Sequence, residues 1–173
     1  MKSARPEFAL SPLEEQRFGV RTVRVAELEK EHLPALLEFC RAQAVQMVIA
    51  RCPTADLPCA QAVEEAGGRL MDTLVYYGLE LKKRASDPPG ARIRAARPAD
   101  LEFLVAIAAE SFQGYSGHYH ADPRLERAAC DEAYTSWVRR SLLDRSVADA
   151  VNACELDGRL AAFATLRLNS PEE

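Results

Sequence analysis

Residues 151–168 read Val151-Asn-Ala-Cys-Glu-Leu156, then Asp157-Gly158, then Arg159-Leu-Ala-Ala-Phe-Ala-Thr-Leu-Arg-Leu168. Two apolar runs flank a dipeptide that tolerates positive φ, which is among the strongest short-range signals for a β-hairpin. The hairpin predicts antiparallel pairing of 151–156 with 159–168. Glu173 ends the sequence five residues later. The strand 159–168 is therefore expected to stay an open edge unless another segment or chain pairs with it, in a homodimer or through a partner chain.

Upstream of the hairpin the pattern is strand, helix, loop, helix. Arg92 to Ala96 is a short strand. Pro98 sits near a helix start, with Asp100 and Glu102 in the first turn, where acids complement the macrodipole. Leu101, Leu104, Val105, Ala108 and Phe112 then mark one apolar helical face. A Gly/Tyr/His loop spans Gln113 to Pro123. Tyr134, Trp137, Val138, Ser141 and Leu142 repeat at helical spacing, which assigns the two aromatics to the core side of a second helix.

Residues 85–91, Ala-Ser-Asp-Pro-Pro-Gly-Ala, cannot continue a helix or a central strand and read as a linker. They divide the chain into 1–84 and 92–173. The first part alternates. Phe18 to Val25 reads as a strand, and Leu33, Leu36, Leu37 and Cys40 as a helix face. Val45 to Ala50 suits a buried strand. Asp56 to Ala66 is a helix with Pro58 in its first turn and Gly67 capping its end. Leu70 to Leu81 reads as a long strand. The expected class is α/β, with mixed sheets and helices packed on them.

A net charge of −4 argues against a nucleic-acid partner. The basic runs Lys82-Lys83-Arg84 and Arg92 to Arg97 flank the linker and read as solvated charge. No run approaches the ~20 apolar residues of a membrane span, and the N-terminus lacks a signal-peptide pattern, so a cytoplasmic location is expected. Cys40, Cys52, Cys59, Cys130 and Cys154 form no CxxC pair and read as reduced thiols.

His118, Tyr119, His120 and Asp122 are the densest polar cluster. Imidazole and phenol groups there suit a pocket wall that donates to hydroxyls or phosphates. An ordinary loop is the competing reading. His-x-His-x-Asp also offers metal ligands, but no third histidine completes a coordination shell, and no metal is expected. Gly114 and Gly117 make a GxxG outside the strand-loop-helix setting of a phosphate site.

The order of these segments resembles the acyl-CoA N-acyltransferase (GNAT) superfamily, and within it the two-part dTDP-fucosamine acetyltransferase-like enzymes. Arg17-Phe18-Gly19-Val20 is similar to their first strand. Ile93-Arg94-Ala95-Ala96-Arg97-Pro98-Ala99-Asp100-Leu101 is similar to the strand-to-helix opening of their catalytic domain. Phe112 to Pro123 with Trp137 looks like the acceptor-side loop and second helix, and Val151 to Leu168 like strands two and three. The run Val45 to Leu81 looks like the closing strand-helix-strand of a partial unit. The chain would then pair a partial GNAT-like unit, 1–84, with the front half of a GNAT domain, 92–173.

The resemblance implies transfer of an acetyl group from acetyl-CoA to the amine of a small molecule, an amino sugar nucleotide or a similar small amine. It implies a general-base role through water for Asp72, with a solvent-facing strand residue as the alternative. It implies that Tyr115, His118, Tyr119, His120 and Asp122 line the acceptor pocket. The family's fourth strand and Gly-rich pyrophosphate loop have no counterpart before Glu173. No residue is assigned to acetyl-CoA, and this chain alone is expected to transfer no acetyl group. The alternative is a non-catalytic binding or assembly module, or one half of a split acetyltransferase.

Overall fold

A computed structural model of the chain describes residues 8–79 and 89–168. It is a mixed α/β structure with five α-helices, a two-stranded parallel sheet and a three-stranded antiparallel sheet. Two compact units divide it, Met1–Asp72 and Thr73–Glu173. No helix among the described residues is long and apolar enough to cross a membrane.

The first unit contains α1 (Pro12–Phe18), β1 (Thr22–Val25), α2 (Leu33–Ala42), β2 (Met47–Ala50) and α3 (Leu57–Glu65). The strand expected from Phe18 begins only at Thr22. Pro12 at the first helical position and the acids Glu14 and Glu15 in the first turn favour a helix that consumes Phe18. Gly19, at φ 65°, closes that helix by donating its N–H to Glu15 O at 2.9 Å. Strand β1 then pairs in parallel with β2, Thr22 opposite Met47, and α2 makes the crossover that parallel strands require. Val23, Leu28, Leu36 and Cys59 form the buried centre of this unit. Helix α3 starts as expected, with Asp56 accepting from Cys59 N–H at 3.0 Å.

The long strand expected over Leu70 to Leu81 does not form in residues 70–79, and 80–81 lie outside the described residues. Leu70, Val75, Tyr76, Tyr77 and Leu79 are exposed. Strand propensity expresses fit to a pleated, half-buried neighbour, and this segment pairs with none of the described strands.

The second unit contains β3 (Ala91–Ala95), α4 (Leu101–Ser111), α5 (Arg127–Leu143), β4 (Ala150–Leu156) and β5 (Arg159–Leu166). Of the linker 85–91, residues 85–88 lie outside the described residues, Pro89-Gly90 turns, and Ala91 already belongs to β3. The Asp157-Gly158 hairpin is present, with φ values of 49° and 77°. Strand β5 stops at Leu166 rather than Leu168. There the chain peels off toward the 144–149 loop, where Leu168 N–H donates to Asp149 Oδ2 at 2.8 Å and Arg167 Nη1 to Ser146 O at 2.6 Å.

The sheet runs β3-β4-β5, antiparallel throughout. Val151 and Ala153 on one face pack with Leu104, Ala108 and Val138 from the two helices. Alternation places Ile93, Leu156 and Leu166 on the opposite face, all exposed. Trp137 is 39% exposed and lies at the rim of this core, beside Phe163, rather than inside it as expected. Its neighbour Val138 is the residue fully buried.

One ionic cluster ties sheet to helix. Arg94 on β3 donates through Nη1 and Nη2 to both oxygens of Asp100, at 2.7 and 3.0 Å, and through Nε to Glu155 on β4 at 2.7 Å. Asp100 also accepts from Arg97 N–H at 2.7 Å. The Arg94 guanidinium, then the Arg97 amide, hold the Asp100 carboxyl down at about 2. That value lies below the ordinary carboxylate range near 3.9. The pair therefore contributes fully above about pH 4, and the contribution is lost as pH falls through about 2. Asp100→Asn should lower the thermal midpoint at pH 7 by about 5 °C or more. Differential scanning calorimetry between pH 7 and pH 2 should show the gap between variant and parent closing toward the acid end.

Candidate functional site

The loop between α4 and α5 is built on aromatic packing. Phe112, at the end of α4, stacks on Tyr134 of α5 with ring centroids 4.3 Å apart. Tyr115 meets both rings edge-on, at 5.6 and 5.4 Å. His120 lies parallel to Tyr134 at 6.2 Å. The four rings pin both ends of the loop to α5. Gly117 passes so close that an added Cβ would lie 2.8 Å from Tyr115 Cε1 and 2.8 Å from Tyr134 Oη.

The expected acceptor residues are thereby sorted. Tyr115 is exposed, whereas Tyr119 is buried and His118 packs on its ring at 4.2 Å. The His120 side chain is only 1% exposed. Its Nδ1 accepts from Gly117 N–H at 3.2 Å, so the neutral ring carries its proton on Nε2, which faces Asp131 Oδ1 at 3.0 Å. Asp122 accepts from Arg124 through both carboxylate oxygens, at 2.5 to 3.1 Å. The Arg124 guanidinium holds the Asp122 carboxyl below its usual range. Loop residues 115–122 thus occupy one region of the second unit, but their polar atoms serve mainly to fold the loop. Asp72 is exposed and belongs to the first unit.

A cleft of about 330 Å³ opens beside this loop, between the last turn of α4 and the first turns of α5. Phe112, Gln113, Arg127, Asp131, Glu132 and Thr135 line it. Sequence patterning missed this side because the second helix was read from Tyr134 onward, whereas it begins at Arg127. Glu126, at the N-cap position, makes no side-chain capping bond, so the usual start signal is missing. The available signal was the polar spacing Arg127, Asp131, Thr135, one side chain per turn.

Among the described residues, no three His, Cys, Asp or Glu side chains gather as a metal site. The Gly114–Gly117 turn makes no phosphate cradle, since Tyr115 and Tyr134 fill the space at Gly117 and no helix follows directly. Burial pushes the thiols of Cys40, Cys59 and Cys130 up, which suppresses thiolate character.

No protein-family profile matches the chain, and no solved structure matches it. A stretch of 105 residues, 60% of this chain, is 24% identical to the spore coat polysaccharide biosynthesis protein SpsD of Bacillus subtilis (strain 168). That stretch spans 36% of the Bacillus protein.

Gly117→Ala tests the loop architecture. The methyl must displace Tyr115 or lift Tyr134 from Phe112, at a cost of about 1–3 kcal/mol. The expected result is a lower thermal midpoint with an altered near-ultraviolet tyrosine signal and unchanged helix content by far-ultraviolet circular dichroism.

Proposed function

We propose that the second unit forms the acceptor side of an acetyl-CoA-dependent N-acetyltransferase of the GNAT type, acting on the amine of a small molecule of the amino sugar class. The observation that carries this reading is the order β3-α4-α5-β4-β5. It forms an antiparallel sheet with both helices packed on one face and a polar, aromatic loop between them. That order agrees with the opening of the family's catalytic domain. The likeness to a polysaccharide biosynthesis protein supports a carbohydrate-related acceptor.

The chemistry of such a reaction asks for a neutral amine and a proton acceptor near it. The family likeness alone assigns the proton acceptor, through water, to Asp72, an exposed residue of the first unit. Tyr115, whose ring stands exposed at the loop, is the proposed contact to acceptor hydroxyls. His118, Tyr119, His120 and Asp122 shape the loop that presents it. The described residues provide no cradle for the pyrophosphate of acetyl-CoA, so the proposal covers acceptor binding and proton acceptance alone.

A second reading, a binding or assembly module, is favoured by β5. Its residues 160–166, Leu-Ala-Ala-Phe-Ala-Thr-Leu, carry no charge, proline or glycine to guard the edge. It pairs with β4 on one side and with no other described strand.

Release of the CoA thiol, followed with a panel of amino sugars and their nucleotides, distinguishes the two readings. The acetyltransferase reading expects thiol release from the longest polypeptide that contains this chain, falling at least tenfold in Asp72→Asn. It fails if that polypeptide neither binds acetyl-CoA nor acetylates any amine of the panel. The module reading expects a concentration-dependent increase in mass by light scattering, abolished by Ala164→Lys.

A further inference from the structure

We infer that the cleft between α4 and α5 is a binding site for a monosaccharide-sized cationic amine, held by Asp131, with buried His120 as the positioning residue. The inference rests on the acetyltransferase reading only for what happens to the amine afterwards. The binding argument stands on the geometry of the cleft.

Consider first how Asp131 is held. Its Oδ1 faces Nε2 of a ring that is almost wholly buried, and that ring is fixed in turn by Gly117 N–H at Nδ1 and by stacking on Tyr134. With Nδ1 accepting from Gly117 N–H, Nε2 is the ring atom placed to donate to the carboxylate and so to orient it. Asp100 and Asp122 show the alternative, since each is bound bidentately by a guanidinium and neutralised. Asp131 differs from both: an imidazole nitrogen rather than a guanidinium faces it, and it is 54% exposed at the lining of a cleft.

The rest of the cleft restricts the ligand. Asp131 and Glu132 outweigh Arg127, so the lining is net anionic and favours a cation over a phosphate. About 330 Å³ lies at the low end of small-molecule sites, which suits one sugar ring rather than a nucleotide. Gln113 and Thr135 offer neutral donors and acceptors for hydroxyls, and Phe112, braced by Tyr134, offers an apolar wall for the C–H face of a ring. An ammonium on a polyol ring meets all of these demands. A charge-assisted bond to a carboxylate that is already oriented costs little ordering on binding.

The test uses glucosamine hydrochloride as the probe, titrated into the isotope-labelled 173-residue chain at low salt and followed by amide chemical shifts. Glucose and N-acetylglucosamine serve as uncharged controls of similar shape. The expected result is saturable shifts at Gly114, Asp131 and Glu132 with glucosamine, and binding weaker by about tenfold or more for both controls. Asp131→Asn should remove that preference, whereas Glu102→Gln, which deletes a carboxylate paired with Arg139 away from the cleft, should keep it. His120→Gln retains a donor and should keep part of the preference. His120→Phe should lose it and should also lower the thermal midpoint, because the Gly117 N–H loses its acceptor; the glutamine variant, which keeps a donor, therefore decides whether the imidazole positions Asp131.

Equal binding of glucosamine and glucose, no binding of either, or an Asp131→Asn variant that still prefers the amine would each overturn the proposal. Selective glucosamine binding without acetyl transfer by any polypeptide containing the chain would leave this site standing and sink the acetyltransferase reading. Transfer that survives Asp131→Asn with unaltered amine preference would do the reverse.

Discussion

The second unit is organised around a single guanidinium. Arg94 reaches from the first strand of the sheet to the turn that opens α4 and to the central strand β4. Its five donors in a planar fork suit this task, because one fork can address two carboxylates in fixed directions. Position 94 thereby sets where α4 leaves the sheet. Helix α5 packs against α4, and the loop and cleft lie between their facing ends. A pair this poorly exposed is costly to break, since removing one partner strands the other. The chain therefore invests in one ionic tie where the apolar core, built largely from alanine, valine and leucine, leaves the helix start underdetermined.

The legible parts of the sequence were those whose signal is local. Asp157-Gly158 specifies its own turn, and the hairpin follows. Asp56, Pro58 and Gly67 punctuate α3 within a dozen residues. Phe18 to Val25 was misread because the β-branched residues at its end outweighed the helix-opening Ser11-Pro12 and the acids behind it. Leu70 to Leu81 carries the composition of a strand, but composition supplies only one side of a pairing. Trp137 was assigned inward by a periodicity that its neighbour Val138 satisfies equally well.

The site was less legible than the fold for a related reason. The residues that drew notice, His118, Tyr119, His120 and Asp122, are conspicuous by type, yet the loop spends most of them on its own structure. Tyr115 alone stands out to solvent. Asp131 is unremarkable in the sequence, one acid on a polar helix face, and gains its character from a histidine eleven residues earlier that the loop folds back onto it. Such a relation depends on the path of the loop, which turns on Gly117 lacking a side chain. Residue type singled out the segment. Backbone geometry decided which members of it face inward.

The hairpin turn also sets the order of assembly. Strands β4 and β5 are joined by two residues, so their pairing closes at microsecond cost in time and little in chain entropy. Strand β3 meets β4 only after some sixty residues of intervening chain, Ala91 lying opposite Leu156 and Ala95 opposite Asn152. During synthesis the first strand of this sheet emerges long before its partner exists. Pairing β3 with β4 closes a far longer loop than the two-residue hairpin does, so it carries the larger closure entropy of the two.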